Sequence, residues 1–196
     1  MRNQSIFIAA SLAIAALASP AQAEVIAASD GGFVINHSVD IPADRSAVWK
    51  VLIAPAKWWS SDHTYSGNAD NLYLDAQATG CFCEKLPRPA DAPESQRMGS
   101  VEHMHIVYAD PQRGVLRMTG GLGPLQAEAV TGVMTIAIRP EGEGSRLTLR
   151  YVVGGVWQGK PAEVGPLVDG VLGEQVKRLA AKFAPAEPAP EPAAKP

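Results

Sequence analysis

The period of apolar and polar positions along the chain changes several times, and each change marks an element. Residues 32–41 alternate, with Phe33, Ile35, Val39 and Ile41 on one face and Val34, Asn36, Ser38 and Asp40 on the other. That period of two predicts a strand, with His37 intruding on its apolar face and Pro42 ending it. Ala43 or Asp44 then opens a short helix over 47–53 that stops at Pro55. A loop-rich stretch carrying Trp58, Trp59, Tyr65 and Gly67 follows. Strands are predicted over 71–74, 81–86, 99–109, 115–119, 133–139 and 146–153. Pro87, Pro89 and Pro93 mark a loop, and Asp110-Pro111 and Glu141-Gly142 mark turns. From Val164 the period becomes helical, with Leu167, Val168, Val171, Leu172, Val176, Leu179 and Phe183 forming one stripe. Glu174, Lys177, Arg178 and Lys182 supply its wet side. Strands in succession without intervening helices pair antiparallel, so the order predicts an α+β domain closed by one long helix.

The two ends of the chain differ from this pattern. Arg2, an apolar run from Ile6 to Ala18, and Ala21-Gln22-Ala23 have the form of a cleaved secretory signal over 1–23. The expected location is therefore a bacterial periplasm or the cell exterior. Residues 24–30 read as a linker and 31–184 as the domain. Residues 185–196 read as a disordered Pro/Ala/Glu tail that has no apolar area to bury. The formal charge of −3 carries no basic stripe, which argues against a nucleic-acid partner. After the signal no apolar run is long enough to span a bilayer. Oligomeric state is not encoded in any of these patterns.

Several segments resemble one superfamily. Val48-Trp49-Lys50-Val51-Leu52 with Pro55 and Trp58-Trp59 is similar to the helix after the first strand of START-like proteins. Gly80-Cys81-Phe82-Cys83-Glu84, Gly99-Ser100-Val101, Asp110-Pro111 with Val115-Leu116, and the final helix fall where the same group places its strands and closing helix. The group is SRPBCC, which includes pollen allergens, lipid-transfer domains, polyketide cyclases and chaperone-activator homologues. The resemblance covers approximately residues 31–184. It implies a helix-grip fold, a curved antiparallel sheet wrapped around the C-terminal helix with a cavity between them, and commonly an apolar ligand. It carries over no universal catalytic residue.

The ligand expected on these grounds is a small apolar or amphipathic molecule, lipid-like or polyketide-like. Its candidate contacts are Trp58, Trp59, Tyr65, Met118, Leu122, Leu125, Tyr151, Leu167 and Val171. Trp58 and Trp59 are adjacent, so one of them faces an opening or the surface. Gly120-Gly121-Leu122-Gly123-Pro124-Leu125-Gln126 lacks the Lys-Ser or Lys-Thr of a phosphate loop and reads as an apolar flap or a plain glycine turn. No nucleophile elbow is present. A cyclase or hydratase reading needs a histidine or carboxylate in the pocket, for which His37 and Glu84 are the candidates. A third reading is an envelope interaction protein using the aromatic loop and the tail.

No cofactor is expected, with one exception. Cys81 and Cys83 lie two apart on one predicted strand, His103 and His105 two apart on the next. A hairpin centred near Ala92 or Pro93 sets Cys81 opposite His105 and Cys83 opposite His103, four ligands on one face for zinc or copper. The same register places Glu84 opposite Glu102. A Cys81–Cys83 disulfide has poor geometry on an extended strand, and two small and two polar residues on a partly exposed strand face are the plainer reading of all four. Gly165, Gly170 and Gly173 in the closing helix suggest close approach to the sheet, room for a ligand, or a mobile lid.

Overall fold

The computed structural model describes residues 22–184. Eight strands form one antiparallel sheet in the order β1-β2-β8-β7-β6-β5-β4-β3. They are β1 Gln22–Ser29, β2 Gly32–Ile41, β3 Leu72–Leu74, β4 Cys81–Leu86, β5 Gly99–Asp110, β6 Val115–Thr119, β7 Ala129–Glu141 and β8 Gly144–Val156. Two α-helices accompany them, α1 Arg45–Leu52 and α2 Pro161–Ala181. The first long strand closes onto the last one, β2 on β8, and the remaining strands follow as hairpins. Among the described residues no helix is long and apolar enough to cross a membrane.

Local chemistry explains most boundaries. Asp44 caps α1 by accepting from Ser46 N at 2.8 Å and Ala47 N at 3.0 Å. The inward set of the alternating strands (Phe33, Ile35, Leu116, Met118, Met134, Ile136, Leu149 and Tyr151) is buried, and Leu172, Val176 and Leu179 close over it from α2. Of the helical stripe, Leu167 is instead 72% exposed and Val171 only partly buried. Gly165, two residues before Leu167, already packs against Phe33, so Leu167 lies on another face of the helix, toward the cavity at the mouth.

One expectation changes outright. Residues 24–29, read as linker, belong to β1, which pairs with β2 from Gln22↔Ser38 to Ser29↔Gly32. Asp30-Gly31 between two extended runs is a hairpin turn, and the sheet edge supplies the pairing that composition does not reveal. The expected signal segment lies outside the described residues except for Gln22 and Ala23, and so does the expected tail over 185–196.

The helix glycines separate by environment. A Cβ on Gly173 would stand 2.9 Å from Cε1 of buried His37, and one on Gly165 would touch Phe33 at 3.4 Å, whereas Gly170 faces open space. Two glycines therefore bring α2 down onto β2. Gly170→Ala is expected to stabilise the protein by up to about 1 kcal/mol through helix propensity. Gly173→Ala, which must displace the His37 ring, is expected to destabilise it by about 1–2 kcal/mol. Thermal melts of the two variants should move in opposite directions. A shared sign would refute this account of the helix–sheet contact.

Candidate functional site

The helix-grip interior is packed along most of its length. Between the sheet and the second half of α2 only about 30 Å³ remains open, bounded by Trp58, Met118 and Gln175 among others. The usable cavity lies at the mouth, beside the first half of α2, with a volume of about 580 Å³. Its walls come from three places. The loop from Trp59 to Tyr65 forms one side, Leu122 to Leu125 the flap, and Val164, Leu167, Val168, Val171 and Leu172 the helix side. His103 closes the polar end.

The loop is stitched to α2 by polar bonds. Ser60 N donates to buried Gln175 Oε1 at 2.8 Å, His63 Nε2 meets Glu174 Oε2 at 3.0 Å, and Arg178 Nε donates to Trp58 O at 2.9 Å. The flap hangs on Tyr151, whose hydroxyl donates to Gly120 O at 2.9 Å and accepts from Leu122 N at 3.2 Å. Burial raises the Tyr151 hydroxyl to about 12, so it stays protonated and able to donate. Tyr65 bridges loop and flap by donating its hydroxyl to Gly123 O at 3.0 Å.

Glu84 and His103 form the polar centre. Glu84 is fully buried, and its carboxylate accepts from Tyr65 N at 3.0 Å, from Ser66 N, and from His103 Nε2 at 2.9 Å. Burial alone would push this carboxyl up. The bonds from Ser66, Tyr65 and His103 outweigh it and hold Glu84 below its ordinary range. Burial also lowers the His103 imidazole, against the opposing pull of Glu84. A carboxylate only accepts, so Nε2 carries the His103 proton, and in the neutral ring Nδ1 is left as an acceptor. Among the described residues Nδ1 has no protein hydrogen-bond partner. Tyr65 and Phe82 flank the ring at centroid distances of 5.9 and 4.9 Å.

A β-bulge creates this centre. Cys81 pairs with His105 and Phe82 with Met104, as the simple hairpin predicts, but Cys83 then pairs with Glu102. His103 is the extra residue, and both it and Met104 are buried. The slip also places Glu84 opposite Val101 rather than Glu102.

The expected Cys/His ligand set therefore does not converge. His103 turns inward, while His105 stays half exposed beside Glu102 at 3.2 Å. Cys81 and Cys83 are joined to each other in a disulfide. Their Cα atoms are 5.4 Å apart, against about 6.8 Å for a regular strand, so β4 is drawn in where β5 bulges. That contraction overcomes the unfavourable geometry expected of an extended strand. Among the described residues no group of three or more His, Cys, Asp or Glu is arranged to hold a metal ion.

The remaining candidates divide by place. Trp59, Tyr65, Leu122, Leu125, Leu167 and Val171 line the mouth cavity. Trp58 and Met118 border the small inner void, and Trp58 Nε1 is spent on Val51 O at 2.9 Å. Tyr151 lines neither space and serves the flap. His37 lies beneath α2, away from the cavity, with Nε2 2.9 Å from Asp169 Oδ1 but poorly aligned for a hydrogen bond. Its place on the apolar face of β2 reflects packing against the helix, so it is not positioned for the acid–base role considered for it. Glu84 faces inward but does not itself line the cavity, where the wall residue bonded to it is His103. Asp62, Thr64, Val164, Val168 and Leu172 join the wall without having been singled out. The helical stripe contained three of them, whereas Asp62 and Thr64 sit in a loop with no period to read.

Acid should weaken the fold in two steps. Burial lowers both His37, partly opposed by Asp169, and His103 from their ordinary 6.5. As pH falls through 6.5 the unfolded chain binds protons that the folded one does not, so the contribution present above 6.5 is lost toward the lower folded values. Glu84, lowered from 4.5, adds stability that is present above 4.5 and lost below it. The expected result is a melting temperature that falls between pH 7 and 5 and falls again below 4.5. A flat profile from pH 7.5 to 5 would contradict the buried neutral histidines.

No family model matches the sequence, and no curated protein matches it either. Solved structures do match in fold. Ara h 8.0201 is 12% identical with a TM-score of 0.52, covering 76% of this chain and 96% of its own. CalU16 from Micromonospora echinospora is 12% identical with a TM-score of 0.51, covering 88% of each chain. Ginseng major latex-like protein 151 from Panax ginseng is 13% identical with a TM-score of 0.50, covering 80% of this chain and 100% of its own. At these identities the likeness is one of architecture alone: the chain shares the helix-grip fold of these three proteins, a curved antiparallel sheet closed by a long C-terminal helix.

Proposed function

We propose that the protein binds a small amphipathic molecule at the mouth of the grip, in the periplasm or outside the cell. The observation that carries this reading is the cavity of about 580 Å³, walled largely by apolar side chains and holding one buried polar pair at its end. Sites for small organic ligands have this composition, apolar walls with few placed polar groups. The location follows from the signal-like first 23 residues. The neutral dye Nile red, which donates no hydrogen bond, is the test probe. Saturable enhancement of its fluorescence is expected, with Val171→Trp weakening binding at least tenfold by filling the cavity. Absence of saturable binding to the wild-type protein would overturn the proposal.

A second reading rests on the same pair. A neutral imidazole whose Nε2–H is held by a carboxylate is arranged as a general base, with Nδ1 as the atom that would take a proton. Cyclase or hydratase chemistry on a polyketide-like or aromatic molecule would then use His103 as the base and Glu84 as its positioning residue. His103→Gln is expected to abolish such turnover while leaving Nile red affinity within a few fold. Turnover that survives His103→Gln would overturn His103 as the base.

A further inference from the structure

The polar end of the cavity has a defined sense of hydrogen bonding. Glu84 is fully buried and already receives three donors, from Tyr65, Ser66 and His103. The third of these commits His103 Nε2 as a donor and leaves Nδ1 as an acceptor without a protein partner. An acceptor at the end of an apolar cavity is satisfied by an incoming O–H and not by a carbonyl or an ether oxygen. Charge adds a second selection. No Lys or Arg lines the cavity, and its ionisable side chains are Asp62, His63, His103 and Tyr65, whose hydroxyl is given to Gly123 O. His63 is engaged with Glu174, and the nearby Arg178 is directed at Trp58 O. A carboxylate entering this space would lose its water, meet no cation, and face the Glu84 carboxylate behind the imidazole.

We infer that this cavity selects uncharged hydroxyl compounds, alcohols or phenols, which donate their O–H to His103 Nδ1, and that it rejects carboxylates. The inference rests on the binding function proposed above and specifies the chemistry of its ligand. A lipid would then be taken as an alcohol rather than as a fatty acid. Flanking of the imidazole by Tyr65 and Phe82 leaves the donor path in the ring plane, where the Nδ1 lone pair points.

Four compounds of one size test the assignment at pH 7 on the wild-type protein, by displacement of Nile red: 2-naphthol, decahydro-2-naphthol, 2-methoxynaphthalene and 2-naphthoate. The two hydroxyl compounds are expected to bind about tenfold more tightly than the methyl ether, the worth of one net hydrogen bond. Naphthoate is expected to bind at least tenfold more weakly than naphthol. The two hydroxyl arms separate phenol from alcohol, and preference for either supports the assignment. Nitrogen-15 spectra of the imidazole provide a readout that needs no variant, with the proton expected on Nε2 of His103. Naphthoate or the ether binding as tightly as naphthol, or a proton found on Nδ1, would overturn the inference. Nile red binding with no displacement by any of the four overturns the hydroxyl assignment alone. Failure of Nile red overturns the cavity reading and the assignment together.

Discussion

Glu84→Ala is expected to cost about 3–5 kcal/mol of folding stability, the range for removing one partner of a buried charged network. The change deletes no large apolar surface, so the loss comes from the groups left behind. The Tyr65 and Ser66 amides and His103 Nε2 each lose their acceptor, in a place where the carboxylate was fully buried. Two of the three donors belong to the cavity loop, so the damage should concentrate there. Urea denaturation measures the total, and amide exchange at Tyr65 and Ser66 measures the local part. A loss below about 1 kcal/mol with both amides still protected would show that Glu84 does not organise the loop.

Gly132→Ala should be comparably severe for a steric reason. A Cβ at this position would stand 2.3 Å from Cε2 of Tyr151 and 2.9 Å from its hydroxyl oxygen. The ring has no room to retreat, because Tyr151 is fully buried and its hydroxyl is bonded on both sides to the flap. Overpacking of this kind costs about 3 kcal/mol. Displacing Tyr151 would also free Leu122, so weaker Nile red binding should accompany the lower melting temperature. An alanine variant with wild-type stability and dye affinity would mean that Tyr151 is not the fixed post of the flap.

The contrast between these residues shows where sequence reasoning reaches. Periodicity located β2, the later strands and α2, because burial on one face leaves a regular trace. It also placed the stripe of α2 that includes Leu167 and Val171, while the glycine-rich segment between two strands pointed to the flap leucines; all four are in the cavity wall. The polar centre left no such trace. His103 reads as facing the same way as His105 under strict alternation, and only the bulge turns it inward beside Glu84. A bulge adds a residue without changing composition, so a two-residue period cannot reveal it. The disulfide escapes for the same reason, because a regular strand rise disfavours it and the contraction of β4 leaves no mark in the sequence. β1 was missed because short alanine-rich segments become strands by pairing at an edge, and not by their own propensity.

The bonds that secure the mouth also have a consequence for the order in which the molecule is made. Ser60, His63 and Trp58 are anchored by Gln175, Glu174 and Arg178, partners 115, 111 and 120 residues further along the chain. During synthesis the loop emerges early; Glu84 can take the Tyr65 and Ser66 amides soon after, but the Trp58 to His63 part waits for the last helix. The sheet hairpins, whose partners are close in sequence, have no such delay. Anchoring of the mouth to α2 is therefore expected late in folding, together with the equally distant pairing of β2 with β8. A chain truncated before α2 would display the apolar inner face of its sheet to whatever chaperones the compartment provides.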